Sequence, residues 1–233
     1  MLALEKINTY YRENHVLWDL SLNVPKGSVV AMLGRNGMGK TTIIRSIMGL
    51  TPPRSGVVRF KGEPLTGLEP YQIARKGVGL VPQGRAVFPS LSVRENLTTH
   101  AKDSGGTDSW NLERIYGLFP ILKERAKLHA NLLSGGEQQM LAVARALMTN
   151  PELLLMDEPS EGLSPKVIQQ IGQVICLLKG QLTVFLAEQN LNMALSVADD
   201  VYIVSKGRVV YEGKPDDLRH DEEVKQKWLG VQV

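Results

Sequence analysis

The sequence predicts an α/β fold: a core with a mainly parallel sheet, an N-terminal antiparallel β subdomain and an inserted helical subdomain. Three observations carry this. Val29-Val30-Ala31-Met32-Leu33 is a short apolar run, and Ile43, Ile44, Ile47 and Met48 recur at helical spacing after a glycine-rich turn. A run apolar on both faces suits a strand buried in a parallel sheet. Residues 84–150 read as mainly helical, and from Leu153 strand and helix alternate again, with strands at 153–157, 183–187 and 201–205. Residues 1–233 are thus expected to form one domain. Within it, 1–83 and 151–233 make the core with its β subdomain, and 84–150 the helical subdomain.

Each element has its own signal. Val16, Trp18, Leu20, Leu22 and Val24 alternate with mostly polar neighbours, the period of a half-buried strand. Pro25-Lys26-Gly27 turns the chain into the apolar run. The following helix ends at Gly49, since Pro52-Pro53 cannot continue it. Val58 to Glu63 is a strand running into a turn, placed with the first strands in an antiparallel sheet. Pro70 to Lys76 is a short helix and Val78 to Val81 a buried strand. Ser92-Val93-Arg94-Glu95 is a capping box that starts a helix at Ser92. Residues 103–109 form a polar loop. Leu112 to Phe119 and Ile121 to Leu128 are helical, divided by Pro120. Val209 to Tyr211 closes a hairpin after Lys206-Gly207, and Asp216 to Leu229 is a charged helical tail on the surface.

Composition excludes several classes. A chain of 233 residues, 43% hydrophobic and 22% charged, can bury a core without disulfides. The net charge of +3, from 27 basic and 24 acidic residues, does not argue for nucleic acid. Cys176 lies among Ile175, Leu177 and Leu178 and is expected to be buried packing. There is no apolar run long enough to span a membrane and no signal peptide at Met1 to Glu5, so a cytosolic protein is expected, held at any membrane by a partner. None of the four histidines sits in a motif.

The glycine turn is Gly34-Arg35-Asn36-Gly37-Met38-Gly39-Lys40-Thr41-Thr42, which fits the phosphate-cradling P-loop. Its strand–turn–helix context is the one that motif needs. Backbone N–H groups form an anion nest, and the positive end of the next helix faces it. Lys40 reaches the β- and γ-phosphates of ATP, and the Thr41 hydroxyl can ligate Mg2+. Downstream, Leu153 to Met156 is an apolar run ending in Asp157-Glu158. In parallel α/β sheets ligands bind at the carboxyl ends of strands, so Asp157 can hold Mg2+ and Glu158 can activate the attacking water. A third block, Leu133-Ser134-Gly135-Gly136-Glu137-Gln138-Gln139, opens an amphipathic helix whose apolar positions are Met140, Val143, Ala144 and Leu147. Ser134, Gly135 and Gly136 make a second anion site, which one triphosphate does not need.

The order of P-loop, Gln83, Leu133–Gln139 and Leu153–Glu158 resembles the ATP-binding subunit of an ABC transporter over essentially the whole chain, and implies the ABC ATPase fold. The Leu-Ser-Gly-Gly-Glu-Gln-Gln block is that family's signature. The resemblance implies two subunits stacked head to tail, with Ser134, Gly135 and Gly136 on the γ-phosphate held by Lys40 of the other copy. By the same resemblance Tyr11 stacks on adenine, with Tyr10 as its rival, and Gln83 touches Mg2+ and the attacking water. Glu161-Gly162-Leu163-Ser164 occupies the D-loop place, with Ser164 where many members have Asp. In Ala187-Glu188-Gln189-Asn190, Gln189 stands where histidine is usual; its amide can still donate to the γ-phosphate but cannot become cationic.

The Glu188-Gln189-Asn190 variant, with Val81 to Arg85, Phe88 to Leu91 and Asp157 to Leu163, resembles the second, shorter ATPase of importers for branched-chain amino acids and related amides and urea. Gln83 and Gly34 to Gly37 lean towards the urea and amide branch. The implied partners are transmembrane permease subunits, a second ATPase subunit in a heterodimer or homodimer, and indirectly a periplasmic solute-binding protein. The implied location is peripheral, on the cytoplasmic face of the inner membrane. Two rival readings are the ATPase of an exporter or lipid extractor, and a non-transport ABC ATPase acting on nucleic acid or ribosomes. The latter usually carry two cassettes, a coiled coil or a basic arm; none is visible, so nucleic acid is not an expected partner.

Overall fold

The computed structural model describes residues 1–102 and 109–230. The chain runs β1 (Leu2–Tyr11), β2 (Asn14–Val24), β3 (Val29–Leu33), α1 (Lys40–Ile47), β4 (Ser55–Phe60), β5 (Glu63–Pro64), α2 (Pro70–Arg75) and β6 (Val78–Val81). Helices follow: α3 (Val93–Thr98), α4 (Leu112–Leu118), α5 (Pro120–Glu124) and α6 (Gly135–Leu147). Then come β7 (Leu153–Asp157), α7 (Pro165–Leu178), β8 (Thr183–Glu188), α8 (Leu191–Val197), β9 (Asp200–Ser205), β10 (Arg208–Gly213) and α9 (Pro215–His220).

Two sheets form. One has the order β2-β1-β4-β5 with antiparallel pairs; the other is β10-β9-β3-β8-β7-β6, parallel except for the β10 edge. Strands β3, β7 and β8 are buried along their whole length. Alternate side chains therefore feed two cores. Val29, Val184, Leu186, Leu154 and Met156 face α6 and α7. Val30, Met32, Phe185, Leu153 and Leu155 face α1 and the antiparallel sheet. Between β6 and β7 the described residues contain helices and a 3₁₀ turn but no strand.

The structure departs from the sequence expectation at three places. Trp18 does not point inward; Leu17 is fully buried and Trp18 is 40% exposed. Between the pairs Ile7↔Leu20 and Thr9↔Leu17, two residues of β2, Trp18 and Asp19, oppose one of β1, Asn8, a bulge at Asp19 (φ +43°) that shifts the inward phase by one. Cys176 is exposed, which corrects its reading as core packing. The buried stripe of α7 is Ile171, Val174, Ile175 and Leu178, and Cys176 with Leu177 lies on the opposite arc. The helix expected to run to Leu128 stops at Glu124, because the carbonyls of Ala126 and Leu128 accept from Arg94 and Val93 at 3.0 and 2.9 Å and cap α3. Residues 103–108 of the expected polar loop lie outside the described residues. The charged tail is helical over 215–220 and again over 222–229, with Leu218 buried and Trp228 packed on the same cluster.

Gly207, in the β9–β10 turn, locks the two halves together. A Cβ there would sit 1.7 Å from the Val16 carbonyl oxygen, and φ is +72°. Its N–H donates to Met38 O and its carbonyl accepts from Trp18 N, both at 3.0 Å. Gly207→Ala is expected to destabilise the protein by about 1–3 kcal/mol, since the left-handed backbone and the contact are both lost; urea denaturation measures this.

Candidate active site

Sheet register gathers the motifs. Leu33 pairs with Glu188, Asp157 with Ala187, and Val81 with Met156. The carboxyl ends of β3, β8, β7 and β6 thus lie side by side. The P-loop, Gln189, Glu158 and Gln83 all leave from that one edge, where parallel α/β sheets bind ligands.

In the P-loop, Gly39 takes φ +109° immediately before α1, a conformation that a Cβ would oppose. The Lys40 side chain is 3% exposed, and its ammonium is fully engaged. It donates to the carbonyls of Gly34 at 2.6 Å and Arg35 at 3.1 Å, and pairs with Glu158 Oε1 at 2.9 Å. Arg35 and Asn36 are exposed on the outer turn, and Met38 Sδ accepts from Lys206 N at 3.4 Å. Val16, Gly37, Gly39, Lys40, Thr41, Thr42 and Glu158 line a cavity of about 130 Å³, sized for phosphate and not for a whole nucleotide.

Thr41 Oγ1 donates to Asp157 Oδ1 at 3.2 Å. Burial lifts the Asp157 carboxyl to about 6, against the Thr41 hydrogen bond, with the Glu158 charge adding to the rise. Glu158 sits at φ +48°, strain of the kind found at functional sites. Its N–H still continues the β7 ladder to Ala187 O at 2.9 Å. Gln83 Nε2 donates to Glu161 Oε2 at 2.9 Å and to Glu158 Oε2 at 3.4 Å. Among the described residues no group of three His, Cys, Asp or Glu side chains forms a metal cluster. The hard oxygens of Thr41 and Asp157 fit a divalent ion that arrives with phosphate ligands, the usual habit of Mg2+.

The structure therefore brings together Lys40, Thr41, Asp157, Glu158 and Gln83. It does not bring Ser134, Gly135 and Gly136 to the same cavity. Ser134 caps α6, accepting from Glu137 N at 3.3 Å while its own N–H donates to Glu137 Oε2 at 2.8 Å. Gln189 is exposed just beyond β8, and among the described residues only its backbone N–H is engaged, with Glu188 Oε2 at 3.1 Å. The two tyrosines separate. Tyr10 stacks on His15 at 4.0 Å under the Arg54 guanidinium, on one face of β1. Tyr11 is 42% exposed and shares the face of Thr9, whose hydroxyl lies 2.9 Å from Ser46 of α1.

Glu188 is the residue that sequence reasoning missed. It is 1% exposed, and its carboxylate accepts from Ser160 N and Oγ at 3.0 and 2.8 Å, and from Gln189 N and Asn190 N at 3.1 and 3.0 Å. It ties the loop after Glu158 to the loop after β8. Burial raises its pKa against those four donors. An acidic residue at a strand end carries no sequence sign of this clamp.

A glycine cradle at a helix N-terminus, a buried lysine and an acidic pair at the adjacent strand end define a P-loop nucleoside triphosphatase. The ABC transporter family profile matches residues 17–161. A high-affinity branched-chain amino acid transport ATP-binding protein, BraG of Pseudomonas aeruginosa, is 44% identical over 99% of this chain and 100% of its own length. A probable branched-chain amino acid transport ATP-binding protein, LivF of Archaeoglobus fulgidus, is 36% identical over 99% of each chain. A nucleotide-free ATP-binding cassette from an ABC transporter superposes with a TM-score of 0.85 at 27% identity, covering 100% of this chain and 99% of the other. A dimeric bacterial ABC transporter cassette gives 0.80 at 26%, covering 92% and 99%. The chain belongs to the ABC transporter family, as an ATP-binding subunit that hydrolyses ATP to drive transport.

Because the Asp157 pKa is raised on folding, its contribution to stability is full below the unfolded value of about 4 and is lost as pH rises through about 6. Without nucleotide or metal, Asp157→Asn should therefore melt higher than wild type at pH 7.5, by roughly 5–10 °C. The difference should shrink towards pH 4, as read by calorimetry at each pH.

Proposed function

We propose that this chain powers uptake of branched-chain amino acids or of related amides and urea, as the peripheral ATPase on the cytoplasmic face of a membrane importer. The observation that supports it most directly is the signature end of α6, an anion-binding helix terminus that the chain's own phosphate cavity does not use. Two copies, or this chain and a similar subunit, stacked head to tail would give each cavity the missing wall. The solute class rests on what the names of BraG and LivF say of those proteins. Among the described residues no helix is long and apolar enough to cross a membrane, which suits a subunit carried by permease chains. An apolar cleft of about 490 Å³ beside Phe88, His100, Met48 and Arg145, flanking the segment after Gln83, suits a docking helix of such a permease.

The chemistry follows from the geometry. Lys40 leaves Glu158 for the β- and γ-phosphates, with the P-loop N–H groups, and Tyr11 supports the adenine ring. Thr41 and Asp157, with Gln83 at the edge, would hold Mg2+, which supplies charge neutralisation on the phosphates. Glu158, released from the ammonium, accepts a proton from water as its oxygen bonds to the γ-phosphorus. The bond from that phosphorus to the bridging oxygen breaks, leaving ADP and phosphate. The Gln189 amide and the opposite Ser134 to Gly136 hold the γ-phosphate in line, so positioning and charge carry the rate.

Lys40→Ala should lose ATP binding by isothermal calorimetry, because phosphate charge is left uncompensated. Glu158→Gln should bind ATP at least as tightly as wild type, since its amide no longer competes for the ammonium. It should accumulate as a dimer on size exclusion and turn over about a hundredfold or more slowly. Undiminished turnover removes Glu158 from its role. Reconstitution with neighbouring permease and binding-protein genes, offered leucine, urea and short amides, decides the solute; uptake of none of them refutes the import reading.

A further inference from the structure

Gly84, Arg85 and Ala86 take positive φ in succession, at 79°, 72° and 45°. Left-handed backbone is disfavoured for residues with a Cβ, so their surroundings must hold the turn. Ala86 is visibly held: its carbonyl accepts from Arg145 Nη2 at 2.5 Å and its N–H donates to Gly84 O at 2.8 Å. Arg85 is not. Its half-buried guanidinium makes no hydrogen bond or ion pair with any described residue.

That guanidinium lies against the signature. A Cβ on Gly135 would meet Nη1 at 2.8 Å, Cζ at 2.9 Å and Nη2 at 3.0 Å, so the group faces the glycine broadside. On its other side, a Cβ on Gly162 would be 3.7 Å from Nη2. Arg85 thus fills a slot between the first residue of α6 and the loop that follows Glu158. This is an odd place for an unpaired cation, because the N-terminus of α6 is itself positive. Glu137 in the first turn of α6 is already engaged by the Ser134 N–H at 2.8 Å and lies 3.6 Å from Arg125, and Arg85 has no acidic partner among the described residues. Two positive features face one space. A multiply charged anion between them would satisfy both.

We propose that Arg85 is a second cation of the composite site, donating to the terminal phosphate of the nucleoside triphosphate held by Lys40 of an opposing copy. This rests on the head-to-tail reading above. A planar guanidinium suits the equatorial oxygens on which charge spreads in phosphoryl transfer. Gly135 and Gly162 then leave room for the arginine as well as for phosphate.

The test uses the full chain carrying Glu158→Gln, with MgATP, and reads dimer formation against protein concentration by light scattering. Adding Arg85→Ala should raise the concentration needed for dimers by about tenfold to a hundredfold, the value of one hydrogen bond to a charged group. Arg85→Lys should recover part of it. ATP affinity at concentrations where the protein is monomeric, and the melting temperature without nucleotide, should not move. Equal dimer formation with and without Arg85 overturns the proposal, and so does a matching fall in monomer affinity, which would place Arg85 in its own chain's site. Unchanged dimers with weakened permease assembly would mean that a permease carboxylate is its partner, also overturning it. Failure of Glu158→Gln alone to dimerise refutes the head-to-tail reading itself and is read separately, before Arg85 is touched.

Discussion

The ion pair between Lys40 and Glu158 is the constraint on which the site depends. Both side chains are nearly buried, at 3% and 9% exposure. Removing two charges from water is costly, and their attraction offsets this only when further polar groups complete the shell. Here the Gly34 and Arg35 carbonyls do so for the ammonium, and the Gln83 amide does so weakly for the carboxylate. Every one of these partners sits at a strand end of the parallel sheet. A one-residue slip between β3 and β8 or between β7 and β8 would turn them to the other face. The all-apolar strands, buried on both sides, fix that register, so the core specifies the chemistry through it.

Glu188 adds a mechanical consequence. It is a buried acceptor with four donors drawn from two loops, those after β7 and after β8. The first carries Glu158 and the second Gln189. Neither loop can shift alone without leaving a buried carboxylate short of donors, which costs more than the bond itself contributed. The Glu158 carboxylate, proposed to activate water, and the exposed amide beyond β8 are therefore held as one unit. An exposed, loop-borne Gln189 is thus positioned from behind, by its backbone, while its side chain stays available.

How much of this was legible in the sequence depended on whether the cause was local. The strand–turn–helix around Lys40, the capping box at Ser92, the helix start at the Ser134 block and the stop at Gly49 come from neighbours within one or two turns. They stand where the pattern puts them. The misplaced residues share a different cause. Strict alternation puts Trp18 inward because it cannot show a bulge, and the bulge depends on a partner strand. The apolar sequence neighbours of Cys176 suggest the core, although a helix separates neighbours by about 100°. The turn at 125–128 exists because α3 needs those carbonyls. Glu188 and the Tyr10–His15–Trp18 stack are likewise products of pairing across strands. Long-range register decides them, and no window of the chain contains it.

The same distinction explains why the signature needed a resemblance to be read. Locally, Ser134-Gly135-Gly136-Glu137 is a well-formed helix start, and its serine and glutamate satisfy one another. What that reciprocal pair leaves over is the remaining backbone N–H groups and the helix dipole. Some 15 Å further along α6, by the rise of an α-helix, Arg145 holds the Ala86 carbonyl and lies 4.6 Å over the Phe88 ring. The helix between them is packed along its length into the core that includes Val81, the last residue of β6. One rigid rod therefore joins an anion-seeking end to the segment that follows Gln83. On the proposed head-to-tail reading, a charge drawn to the glycines would act on that segment through packing that cannot deform continuously, which a fold with the signature on a loop could not achieve.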